Sequence, residues 1–347
     1  MESKKRIPQL DILKLFAIYL VIWGHVLMVS YPSNYIESPL FRAIYSFHMA
    51  LFMMISGYFS TSSIKLPTKV FFRKKIMQLI YPCFAWGLLY FIYTKFVSLS
   101  NSPDLELYES FSLSRTLTDI YWYSDFWFLK SCFICYLIVF ICHHYGLKDK
   151  YWIPLSLLAS QFIPPFQVSF MYPCFIIGYI LKQRIPLQKI VKYKYHFTCI
   201  FLLMLLFWDT QMWDNSHGFP SYFTKLELIQ QYNIAVARLF RLFVGIFGGL
   251  TFFTLFIEIP DTMLYNDVFN KLCKWGQYTL EVYIVQNIVL ERIICNYLES
   301  HDMYSIFFST MVSPFTSLIL LILCLLVIKT LYKSKFLTFI LFGKHSR

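Results

Sequence analysis

Residues 318–327 read Leu-Ile-Leu-Leu-Ile-Leu-Cys-Leu-Leu-Val, a run apolar on every side, and 201–207 is another of the same kind. A strand or helix with one wet face cannot be written this way, whereas a helix surrounded by hydrocarbon can. Runs like these recur along the chain. Over 347 residues, 58% are hydrophobic and 14% charged, and the mean hydropathy is +0.55, more apolar surface than a water-soluble domain can hide. In lipid the backbone must satisfy its own hydrogen bonds, so only helices and closed barrels cross. Barrel strands alternate in polarity and these segments do not, which predicts an all-α, polytopic integral membrane protein of about ten transmembrane helices.

Spans are expected near 9–31, 40–61, 70–97, 125–145, 150–164, 166–183, 196–214, 233–257, 271–298 and 306–332. The fifth is short and ends at Pro164-Pro165, as a half-span or tilted helix would. No repeat, linker or polar tract divides the chain, so residues 1–347 are expected to form one membrane domain. The first apolar stretch lacks a small-residue cleavage site and continues too far for a signal sequence, so it is expected to remain as a span. Cysteines lie mainly within apolar stretches, and the Cys132 to Cys135 spacing has no second pair or nearby histidine to complete a metal or redox site.

Charge tests the span boundaries independently, because Lys and Arg concentrate in short cytoplasmic loops. From a cytoplasmic start, the inner segments hold Lys4, Lys5 and Arg6, then Lys65 through Lys75, and later basic residues to Lys344 and Arg347. The outer loops carry only Arg115 and Lys225 among many carboxylates. Both termini are therefore expected in the cytoplasm. The formal net charge of +12 becomes a property of the inner face, where anionic lipid attracts it, and gives no reason to invoke nucleic acid.

Ionisable groups inside a membrane are costly, and each is a candidate for a site facing the bundle interior. The first span carries Asp11, Lys14 and His25. Lys14 and His25 are eleven residues apart, nearly whole helical turns, so they share a face about 16 Å apart along the axis. His48 on the second span falls at a depth comparable to His25, and either imidazole can serve as a general base. Hydrogen bonding to a neighbouring helix is the plainer role for each. Arg73-Lys74-Lys75 opens the third span with a cationic cluster suited to phosphates, although positive-inside anchoring explains most such clusters. Here Arg73 is favoured over Lys74 and Lys75. Lys130, Arg238, Arg241, Glu281, Glu291 and Arg292 could line a substrate cavity or pair with one another. Arg238 and Arg241 share a face and are slightly preferred. Ser56-Gly57 suits close helix packing better than a covalent route through the hydroxyl.

Asp11-Ile12-Leu13-Lys14 leading to Gly24-His25, then Phe47-His48-Met49-Ala50-Leu51-Phe52 and Ile55-Ser56-Gly57-Tyr58, resemble the acyltransferase type 3 family of membrane enzymes. Arg73-Lys74-Lys75 with Pro82, Phe126-Trp127-Phe128-Leu129, Phe175-Ile176-Ile177-Gly178-Tyr179 and Tyr278-Thr279-Leu280-Glu281-Val282-Tyr283 follow in the family's order. The resemblance implies a transferase that moves an acyl group, usually acetyl from cytoplasmic acetyl-CoA, to a carbohydrate hydroxyl, commonly in bacterial surface glycans. It implies an inner-membrane location and no permanently bound cofactor or metal. The family's first-span base corresponds to His25. Its basic residue, typically Arg, corresponds to Lys14, and lysine there is similar to the branch of fucose 4-O-acetylases. Gln286 stands where many relatives have His and cannot act as a base.

On this reading Lys14 and Arg73 hold the phosphates of acetyl-CoA, and His25 activates a sugar hydroxyl oriented by His48. Asp11, Arg238, Arg241 and Glu281 are weaker candidates for substrate contacts. A transporter or flippase for a lipid-linked glycan is the alternative, since it too needs a polar cavity. The paired broken helices and repeats common among transporters are not evident in the sequence.

Overall fold

A computed structural model describes residues 6–31, 35–101, 126–163, 165–217, 228–264, 266–288 and 306–344, and the regular elements there are helical. Pro8 opens α1 (Pro8–Ser30) at its first turn, where a missing N–H costs nothing. Ser38 caps α2 (Pro39–Ser60), its hydroxyl accepting from the Phe41 N–H at 3.4 Å. The next long helix is α3 (Thr68–Lys75) joined to α4 (Tyr81–Asn101) through a π turn, Ile76–Ile80. Pro82 explains the wide turn: its ring excludes the carbonyl four residues earlier from the α pattern. The same arrangement recurs where the π turn Phe308–Val312 leads into Pro314 and α13, defined below.

The chain continues through α5 (Trp127–His144), α6 (Asp149–Ser160), α7 (Val168–Arg184), α8 (Lys194–Leu205), α9 (Thr210–His217) and α10 (Leu228–Ile257). It ends in α11 (Asp267–Trp275), α12 (Thr279–Ile288), α13 (Ser313–Leu331) and α14 (Lys335–Phe342). Six of the described helices, beginning near residues 8, 39, 68, 127, 229 and 308, are long and apolar enough to cross a membrane. The other four expected spans appear as shorter or interrupted helices. The expected span 150–164 is the 12-residue α6 with Pro154 inside it. The expected span 196–214 is broken after Leu205 and restarts at Thr210, where Asp209 accepts from the Met212 N–H at 2.8 Å. Within 271–298, α11 gives way to a 3-10 turn at Gly276–Tyr278 before α12, and residues 289–298 lie outside the description.

The hub is α2, which packs on α1, α7 and α10. Its contact with α7 is backbone on backbone. A Cβ at Gly57 would stand 1.9 Å from the Phe175 carbonyl oxygen, and one at Gly178 the same distance from that of Met54. This reciprocal pair explains both glycines, because helices in lipid associate through close approach at small residues. On the outer surface, Leu155, Leu203, Leu206, Phe207 and Ile319 are more than half exposed, a lipid-facing belt on a multi-pass membrane protein. We predict that Gly178→Leu forces α2 and α7 apart and lowers stability by more than about 3 kcal/mol, the upper range for overpacking. Loss of the monodisperse peak in detergent gel filtration would register it, while Gly146→Ala, with open space around it, should change little beyond local backbone strain.

Candidate active site

One stripe of α2 lines two cavities end to end. Phe41, Tyr45, His48 and Met49 face the first; Met49, Phe52, Ile55, Ser56 and Phe59 face the second. The steps of three and four residues keep this stripe on one side of the helix. From α1, Lys14 enters the second cavity while Val21, His25 and Met28 enter the first, so the phase read from the sequence is realised in the packing. Met49 and Tyr283 belong to both walls and form the partition between them.

The smaller cavity, about 300 Å³, lies at the basic end. Three lysines reach it: Lys14, Lys75 and Lys344. Asp11, 6% exposed, holds Lys14 through Oδ1 at 2.6 Å and takes Arg6 on Oδ2 at 2.6 Å. Asp11 is therefore a positioning group for Lys14 and does not itself line the cavity. Lys75 is 3% exposed with its ammonium 3.3 Å from the centre of the Tyr136 ring. Arg73, two residues earlier on α3, is exposed and lines neither cavity, so the sequence-based preference within this cluster is reversed: Lys75 turns inward. Lys344 arrives from beyond the last long helix. The turn at Gly343, φ +63°, reverses the chain after α14, and Lys344 ion-pairs with the fully buried Glu281, which also accepts from the Tyr332 hydroxyl at 2.6 Å. Glu281 thus places a cation; it lines neither cavity. Ser56 is in this wall, two turns of α2 away from His48, and Gly57 beside it serves the helix contact already described.

The larger cavity encloses about 750 Å³ at the other end. His25, His48 and His217 line it together with Arg241, Gln167, Asp214 and Asn287, and with the rings of Tyr45, Trp127 and Trp213. The His48 ring donates from Nδ1 to the Ile44 carbonyl at 2.7 Å, because a carbonyl can only accept. Its Nε2 is thereby left as the acceptor nitrogen when the ring is neutral. Tyr45 stands between the two predicted histidines, 6.4 Å from the His25 ring centre and 4.6 Å from that of His48. Gly24 makes room for it: a Cβ there would meet the Tyr45 ring at 2.3 Å. The Gly24-His25 pair is therefore one device, in which the glycine admits the tyrosine that flanks the imidazole.

Arg241 projects into this cavity and its Nη2 donates to Gln167 Oε1 at 3.3 Å. Gln167 and Phe166 are both non-glycine residues at positive φ, 55° and 57°. Such backbone costs on the order of 1–3 kcal/mol per residue and persists where packing enforces it. Here it delivers Gln167 to Arg241 and sets the Phe166 ring 5.1 Å from the Lys130 ammonium. Lys130, 1% exposed, and the half-buried Arg238 line neither cavity. Gln286 is fully buried, its amide donating to the Tyr283 carbonyl at 3.3 Å, and the neighbouring Asn287 takes the cavity position. Glu291 and Arg292 lie outside the described residues.

The sequence of landmarks is matched by the family described as an acyltransferase domain, over residues 7–332. The chain belongs to the acyltransferase type 3 family. Two curated relatives are nodulation proteins NolL. That of Mesorhizobium japonicum is 29% identical over 209 residues, 56% of this chain and 53% of its own length. That of Sinorhizobium fredii is 30% identical over 198 residues, 51% of this chain and 49% of its own length. The chain thus spans about half the length of the curated relatives it matches. No solved structure matches it. For this acyltransferase type 3 chain, the alignment with the family covers both cavity-lining stripes, although Lys344 lies past its end.

The Glu281–Lys344 pair generates an asymmetric prediction. Lys344→Gln strands a buried carboxylate and should lower stability by about 3 kcal/mol, whereas Glu281→Gln frees a lysine that can reach water and should cost about 1 kcal/mol. Thermal unfolding in detergent compares them, and the double variant should be more stable than Lys344→Gln alone.

Proposed function

We propose that the protein is a membrane-embedded O-acyltransferase that moves acetyl from cytoplasmic acetyl-CoA to a hydroxyl of a surface or capsular glycan sugar at a bacterial inner membrane. The observation that carries this reading is the pair of adjoining cavities, one with three lysines and the other with the histidines, with Met49 and Tyr283 in the walls of both. Three ammonium groups in a small cleft suit the phosphates of a coenzyme A. Lys14 and His25 are about 16 Å apart along α1, a distance suited to an extended pantetheine arm. Such an arm would pass between Met49 and Tyr283 and bring its thioester to the histidine cavity. The rings of Trp127 and Trp213 offer flat faces to a sugar there.

In this mechanism His25 takes the proton of the acceptor hydroxyl as its oxygen attacks the thioester carbonyl. The tetrahedral oxyanion collapses, the C–S bond breaks, and the departing sulfur takes the proton from the imidazolium. His48 Nε2 accepts a hydrogen bond from a neighbouring sugar hydroxyl and orients the ring. Lys14, Lys75 and Lys344 hold the donor; the exposed Arg73 contributes long-range attraction only. Membership of the acyltransferase type 3 family supports acyl transfer over glycan transport, and acetyl-CoA binding separates the two: a transporter ignores it.

His25→Ala should bind acetyl-CoA as the wild type does and lose at least about 100-fold in acetyl transfer, the usual contribution of a general base. Normal transfer by folded His25→Ala protein would remove the assigned base. Isothermal titration should show acetyl-CoA binding about tenfold weaker for Lys75→Gln and for Lys14→Gln, each losing one charge-assisted contact. Arg73→Gln should change it less than threefold. Equal effects at Arg73 and Lys75 would contradict the donor site drawn from the cleft.

A further inference from the structure

Among the described residues Arg241 is a cation without an anion. Its Nε is buried and has no hydrogen-bond partner among the described residues, and no carboxylate there forms an ion pair with it. Among the described residues it meets the Gln167 amide oxygen and the faces of Phe170 and Trp213, with the guanidinium carbon 4.7 and 5.8 Å from the ring centres. An amide dipole and two ring faces ease the burial of a guanidinium without neutralising it. Arg238, three residues earlier on the same helix, adds a like charge. Around the cavity, His25, His48 and His217 can only add positive charge, and among the described residues the one carboxylate in its wall, Asp214, is exposed.

An unpaired charge at this depth marks a ligand site by default, and arginine's planar fork suits an anionic group bound through two oxygens. Gln167 holds the guanidinium from one side through a backbone at positive φ. We infer that the histidine cavity is built for an acidic sugar, whose carboxylate or phosphate pairs with Arg241 while a neighbouring hydroxyl faces the imidazoles. This deepens the acyl-transfer reading and rests on it in one respect, that this cavity is the acceptor site. Arg241 then acts as a specificity residue: it selects which glycan enters and sets how the ring lies, with Trp127 and Trp213 as the apolar walls.

The test titrates purified full-length protein in detergent with methyl glucoside, methyl glucuronide and glucose 1-phosphate, following tryptophan fluorescence. The glucuronide or the phosphate should bind at least tenfold tighter than the neutral glucoside, and whichever is tighter identifies the anion. Added salt should erode that preference. Arg241→Gln should reduce it below threefold, and Arg241→Lys should retain part of it as a point charge without the fork. Acetyl-CoA binding at the lysine cleft, measured on the same samples, reports that each variant is folded. Should the wild type bind all three sugars equally or none of them, or should Arg241→Gln keep the acidic preference, the inference is overturned. Failure of acetyl-CoA binding in the wild type would instead defeat the acyl-transfer reading and leave the charge preference to be read from the sugars alone.

Discussion

A charge or an imidazole set in hydrocarbon is tolerated only where protein or trapped water meets it, and that constraint governs how α1 and α2 must face. Lys14 and His25 cannot both point into the bundle unless the helix turns one unbroken stripe inward, and α2 must then offer the complementary stripe from Phe41 to Phe59. The far side of α2 is therefore given over to tight packing, which the reciprocal contact of Gly57 and Gly178 with the facing backbones supplies. Site and scaffold are two faces of one helix. A change on the packing face would shift the stripe, so the alignment of the cavity walls depends on glycines that line neither cavity.

Cations at the basic end are placed by devices of different kinds. Lys14 is tied by a carboxylate one helical turn away, Lys75 by an aromatic face, and Lys344 by a carboxylate more than sixty residues distant in the chain. Buried ion pairs add little net stability once desolvation is counted, but they fix geometry. Asp11 and Glu281 were expected as possible substrate contacts. Their engagement with lysines gives them the role of aiming the groups that face the cavity.

Much of this was legible in the sequence because it follows from the helical repeat. The Lys14 to His25 phase and the meeting of His25 with His48 in one cavity depend only on helix geometry. The choice between Arg73 and Lys75 was not legible, since three consecutive basic residues on one helix point in three directions and charge alone does not say which of them faces inward. Lys344 escaped because a turn after the last long helix brings it back. Gln167, His217 and Asp214 escaped because they sit on short segments at the mouth of a cavity, where periodicity is too brief to assign a face. The interrupted course of 196–214 has the same origin: hydropathy averages over Trp208 and Asp209, while the Asp209 cap restarts the helix.

The thin partition made by Met49 and Tyr283 has an electrical consequence. Under the proposed reaction the donor cavity opens to one side of the membrane and the acceptor cavity to the other, so a membrane voltage would fall largely across those two side chains, and moving one elementary charge through 100 mV costs about 2.3 kcal/mol. Under the proposed reaction the phosphates stay behind with the lysines and only an uncharged thioester arm threads the gap. The group that crosses is therefore indifferent to the voltage, and acyl delivery would proceed at the same energetic level in an energised cell as in a depolarised one.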